Sequence, residues 1–176
     1  MKQIFDGNRD ELKTKLWSLD LEPIIFKLMD DEEGKGWTQE QSLMAVEEYR
    51  RFLFLTVTST TVIVPTKFVD NVWHTHILDT MKYMDDCQQL FGFFLHHFPY
   101  FGMHGSEDQA NLQSAFRKAA DVYESAFGQP YYVGINGASC GTCGSDKCGS
   151  CSGSGIVGQT DVIRTNVRPS LATASC

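Results

Sequence analysis

The chain contains no run of about 18 apolar residues, the length that a membrane-spanning helix needs. Its first residues, Met1 to Gly7, also lack the apolar core of a secretory signal. Basic residues are in the minority, with 15 Lys and Arg against 22 Asp and Glu and a formal net charge of -7. This balance does not favour a nucleic acid or an anionic membrane as partner. We therefore expect a cytoplasmic protein whose cysteines are thiols or metal ligands before they are disulfides.

Short motifs typical of several enzyme classes are absent as well. The sequence has no glycine-rich nucleotide loop, no Gly-x-Ser-x-Gly elbow and no His-Glu-x-x-His helix. No nucleotide cofactor is expected, and whether any reaction is catalysed stays open. An interaction or adaptor protein that docks a protein partner is the leading interpretation, with no assignment of oligomeric state. A metalloprotein or metalloenzyme and a thiol enzyme are the alternatives.

Apolar residues are plentiful enough for a core, at 42% of 176 residues with 12% aromatics. They recur at helical spacing over most of the first 133 residues. The pattern predicts an all-α bundle of about five helices in residues 1–133, followed by a flexible Gly/Ser/Cys-rich tail in residues 134–176. The expected helices cover about residues 9–19, 21–31, 39–55, 69–94 and 106–126.

The fourth of these helices carries a histidine-rich stretch. His76 falls on its apolar stripe, whereas His74 lies at the edge of the stripe, one turn after Asp70. The two histidines of this His-x-His therefore cannot bind the same ion in a regular helix. Three more histidines follow, at His96, His97 and His104.

Two interpretations of this stretch remain open. In the first, His76 is a core residue hydrogen-bonded to a backbone carbonyl or to Asp79, and His74 pairs with Asp70 at the surface. In the second, Asp70 or Cys87 joins a central-helix histidine and a histidine from the following loop to bind zinc or another divalent metal. The candidate ligands are Asp70, His74, His76, Cys87, His96, His97 and His104.

The same residues carry a family resemblance. The segment from Val69 to Leu78 reads Val-Asp-x-Val-Trp-His-x-His-Ile-Leu, and it is followed by Tyr83, Cys87, Phe91-Gly92 and His97-x-Pro99. Together with Tyr49-x-x-Phe52-Leu53 and Val64-Pro65-Thr66, these residues resemble the glycine-rich domain-containing protein-like family over about residues 10 to 127. The resemblance implies a domain of unknown function and carries over no catalytic residue.

Cysteines supply two further candidate sites. Cys140, Cys143, Cys148 and Cys151 form two Cys-x-x-Cys pairs only four residues apart, which could bind zinc or another soft metal, form a disulfide or redox pair, or lie in a tail without fixed structure. Cys87 could be the nucleophile of a thiol enzyme with a histidine as its base. Its place on an apolar stripe argues against this, because buried thiols are usually inert.

Overall fold

The structure is a computed structural model that describes residues 3–131. Within that range the chain forms six helices and no strand, so the prediction of an all-α fold is confirmed. The helices are α1 (Arg9–Ser18), α2 (Glu22–Met29), α3 (Gln39–Thr58), α4 (Lys67–Leu78), α5 (Thr80–Phe91) and α6 (Gly105–Phe127). Four begin at side chains that accept hydrogen bonds from amides of the first turn: Asn8 at α1, Thr38 at α3, Thr66 at α4 and Asp79 at α5.

The predicted central helix is two helices, which corrects the expectation of a single helix over about residues 69–94. Asp79 leaves helical geometry, with φ -80 and ψ 76, and it ends α4 and begins α5. Its carboxylate accepts a hydrogen bond from the backbone amide of Lys82 at 3.3 Å. An aspartate in this position stabilises the start of a new helix. The apolar pattern therefore continues from α4 into α5, although the chain changes direction between the two helices.

The core is built around α3, which packs against α1, α2 and α4. Tyr49 and Phe52 of α3 are completely buried, whereas Leu43 is half exposed and does not belong to the buried face. Glu48, a charged residue of the same helix, is also buried. It accepts a hydrogen bond of 2.6 Å from the Tyr123 hydroxyl of α6, and it pairs with Arg51 at 3.1 Å. α6 is thereby joined to the core by a polar contact as well as an apolar one.

No helix within residues 3–131 has the length and apolarity needed to cross a membrane. The predicted boundary at residues 133 and 134 and the four clustered cysteines lie outside the described range.

Candidate metal centre

Three ligand atoms from two elements meet at one point. α4 carries Asp70 and His74 one turn apart, and the loop after α5 carries His97. His97 Nε2 lies 3.0 Å from Asp70 Oδ1 and 3.2 Å from His74 Nε2, and His74 Nε2 lies 3.5 Å from Asp70 Oδ1. Among the residues that the structure describes, no other three His, Cys, Asp or Glu side chains converge in this way. We refer to Asp70, His74 and His97 as the triad.

Hydrogen bonds among the three ligand atoms of the triad do not satisfy all of them. A neutral imidazole carries a proton on only one of its ring nitrogens. If His97 Nε2 donates its proton to Asp70, the same nitrogen has no lone pair with which to accept a bond from His74. The proton of His97 must then be shared between Asp70 and His74. A cation between the three atoms would instead be bound by a lone pair from each.

The spacing of the three atoms fits a small metal ion. Atoms bound about 2.1 Å from one ion lie about 3.0 Å apart as octahedral neighbours and about 3.4 Å apart in a tetrahedral site. The observed separations of 3.0, 3.2 and 3.5 Å cover that range. Three such ligands occupy one face of an ion and leave its other positions open. Two histidines and a carboxylate with open positions form a donor set that suits Fe(II), and the same donors bind zinc.

The triad opens to solvent on the side of His74. Its side chain is 50% exposed, compared with 13% for Asp70 and 14% for His97. Partial burial lowers the pKa of His74, the Asp70 carboxylate opposes this effect, and the neighbouring His97, Lys35 and Lys67 lower the pKa further. A lowered pKa favours the neutral imidazole, which is the form that binds metals.

His97 is held in place by a hydrogen-bonded contact between α4, α5 and its own loop. The Trp73 indole donates to the Tyr83 hydroxyl at 2.9 Å, and that hydroxyl donates to the backbone carbonyl of Leu95 at 2.5 Å. The Trp73 ring also packs against the His97 ring, with centroids 4.4 Å apart. These contacts set the position of the loop two residues before the ligand.

His76 lies in a separate, buried polar cluster. Its Nδ1 is 3.0 Å from the Tyr49 hydroxyl, and its Nε2 is 2.9 Å from Asp86 Oδ2. Lys82 also pairs with Asp86, at 2.9 Å. The partner of His76 is therefore Asp86 of α5 and not the predicted Asp79 or a backbone carbonyl, because α5 turns back beside α4. Both ring nitrogens are engaged, and His76 does not contribute to the triad.

The remaining candidates within residues 3–131 lie apart from the triad. Cys87 is buried, and burial raises the pKa of its thiol, which opposes a role as nucleophile. His96 is exposed, and its ring lies beside that of Phe94 at an interplanar angle of 54°, with ring centroids 4.9 Å apart. His104 is exposed and precedes the first turn of α6. Cys140, Cys143, Cys148 and Cys151 lie outside the described residues.

A comparison with protein-family models finds one matching family. The model of the UCP032817-like family matches residues 14–125, a span that includes all three members of the triad. The chain belongs to the UCP032817-like family. No curated protein and no solved structure matches it.

The sequence of this UCP032817-like domain predicts some residues of the site better than others. The spacing of Asp70 and His74 could be derived from helical geometry alone. The choice of His97 over His96 and His104 could not, because it depends on the path of the loop. Asp86 was missed as the partner of His76, since a continuous helix would have carried it away from α4.

Proposed function

We propose that this domain binds a divalent transition-metal ion through Asp70, His74 and His97, with part of the coordination sphere left open. The observation that carries the proposal is the triangle of Oδ1 and two Nε2 atoms with edges of 3.0, 3.2 and 3.5 Å. Open positions are characteristic of sites that act on a further ligand, whereas purely structural zinc sites usually have four protein ligands.

The two other functional hypotheses receive less support. The buried Cys87 thiol with its raised pKa does not favour thiol catalysis. Docking of a protein partner stays a prediction, as does a metal bound by the clustered cysteines. The resemblance to the glycine-rich domain-containing protein-like family adds no reaction to either.

The test has to separate the triad from the cysteines of the C-terminal region. We therefore choose the full chain with Cys140, Cys143, Cys148, Cys151 and Cys176 replaced by serine, called the five-serine chain. It is titrated with Co²⁺, and the visible absorption reports coordination by nitrogen and oxygen without thiolate charge-transfer bands. We expect one Co²⁺ ion per chain.

Adjacent histidines of the same loop supply a matched pair of variants. His97→Gln in the five-serine chain should weaken Co²⁺ binding at least about 100-fold, because it removes a ligand. His96→Gln, which changes an exposed histidine outside the triad, should leave the affinity unchanged. Equal affinities for the two variants, or no Co²⁺ binding by the parent chain, would contradict the proposal.

A further inference from the structure

Two lysines carry charge near the triad: Lys67 of α4, and Lys35 of the turn that packs against the beginning of α4. Lys67, Asp70 and His74 lie at positions i, i+3 and i+7 of α4, so they share one stripe of the helix. Lys67 therefore extends the surface on which two of the three ligands lie, toward the start of the helix. Its side chain is exposed.

Lys35 belongs to the turn between α2 and α3. The backbone amides of Lys35 and Trp37 both donate to the carbonyl of Leu28, at 3.1 and 3.2 Å, and these bonds shape the turn. The Trp37 ring then packs on Phe68, the neighbour of Lys67, with centroids 4.6 Å apart. This contact holds the turn against the beginning of α4. Both lysines act electrostatically on the His74 imidazole, which is consistent with that placement.

Neither lysine is neutralised by a carboxylate. Within residues 3–131, Lys35 and Lys67 form no ion pair, whereas Lys15, Lys27 and Lys82 each have an acidic partner. Two acids of residues 30–33, the acidic run that precedes Lys35, are used elsewhere. Asp30 accepts bonds from backbone amides of its own turn, and Glu33 pairs with Lys27 at 2.7 Å. Asp70 is the one carboxylate among the described groups that act on His74.

We propose that Lys35 and Lys67 make the open face of the metal centre a receptor for a phosphate-class oxyanion. This inference rests on the proposed metal site. A divalent ion outweighs the single Asp70 charge, and two ammonium groups add further positive charge around the open positions. An anionic oxygen bound to the ion and to both lysines would balance that charge, and lysine is a common point-charge partner of phosphate.

The test measures anion binding by ³¹P NMR on the five-serine chain. Methylphosphonate is the probe, because it has phosphate-class oxygens and a single ³¹P line. It is added to the Co²⁺-loaded chain, and the Zn²⁺-loaded chain serves as the diamagnetic control. If the anion coordinates the ion, the paramagnetic centre broadens the ³¹P line in a saturable way, and the Zn²⁺ sample shows no such broadening.

The decisive variant is Lys35→Ala/Lys67→Ala. We expect it to weaken methylphosphonate binding at least about tenfold, since two charges near the anion are lost, while Co²⁺ affinity is retained. Arg117→Ala/Lys118→Ala removes the same charge from exposed positions of α6 and should match the parent chain.

Four results would overturn the inference. Bound Co²⁺ without ³¹P broadening, or broadening equal in both double variants, would leave the metal site intact and refute the lysine receptor. Acetate that displaces methylphosphonate at equal concentration would refute the phosphate class. No Co²⁺ binding by the parent chain would refute the metal site together with the anion site.

Discussion

At the scale of single residues, His76 and His97 show how two nearby histidines can have different roles. His76 is 1% exposed and bonded at both ring nitrogens, whereas His97 presents Nε2 to a carboxylate and a second imidazole. A buried ring with both nitrogens occupied stabilises the fold. A ring whose nitrogen faces other ligand atoms is suited to bind a cation.

Replacement of His76 tests this division. His76→Gln leaves Tyr49 and Asp86 without one of their partners in the core, and we expect it to lower the free energy of unfolding by about 2 kcal/mol. The number of Co²⁺ ions bound by the folded five-serine chain should stay the same. Urea denaturation and Co²⁺ titration measure the two effects. His104→Gln, at an exposed position, is the control and should change stability by no more than about 0.5 kcal/mol. Loss of Co²⁺ from folded His76→Gln would show that His76 takes part in the site.

Cys87 allows a second test at this scale. It is 2% exposed, and burial raises the pKa of its thiol, so both access and the thiolate fraction are reduced. In the five-serine chain Cys87 is the remaining cysteine. We expect a disulfide reagent at pH 8 to modify it rapidly in urea but at least about 100-fold more slowly in the native protein. Rapid native modification would restore the thiol-enzyme hypothesis.

At the scale of elements, the break at Asp79 determines which residues meet. One straight helix would have carried Tyr83 and Asp86 away from α4. The turn instead brings Tyr83 to Trp73 at 2.9 Å and Asp86 to His76 at 2.9 Å. Helix positions and apolar faces could be predicted from periodicity and capping residues. The break could not be predicted, because an aspartate within a helical pattern is compatible with one continuous helix as well as with two helices.

The contact of Tyr83 with the loop makes it a positioning residue for His97. Tyr83→Phe keeps the ring but removes the hydroxyl that joins Trp73 to the Leu95 carbonyl. We expect Co²⁺ affinity to fall about 10- to 100-fold, as for other residues that orient metal ligands. Tyr131→Phe is the matched control, because the Tyr131 hydroxyl is also buried and donates to a backbone carbonyl, that of Val64 at 2.9 Å, but contacts no ligand. Both variants should lose stability, and a comparable loss of metal affinity in both would exclude a specific positioning role for Tyr83.

At the scale of the whole molecule, the triad connects segments that are separate along the chain. Asp70 and His74 belong to α4, and His97 follows α5 by a short loop, so the three ligand atoms come together only in the folded domain. α4 in turn packs on α2, α3 and α5. A metal that binds the folded chain and not the unfolded chain should therefore stabilise the entire cooperative unit.

This linkage gives a prediction for thermal unfolding. At a free metal concentration of 100 times the dissociation constant, the stabilisation is about 2.7 kcal/mol, which corresponds to a rise in Tm of several degrees for a domain of this size. We expect the five-serine chain to show this rise in Tm when Zn²⁺ or Co²⁺ is added. Its His96→Gln variant should show the same rise. His97→Gln should show no rise at the same metal concentration. If the Tm of His97→Gln rose as much as that of His96→Gln, the stabilising ion would be bound somewhere other than the triad. His97 supplies a nitrogen to the triad, whereas His96 does not.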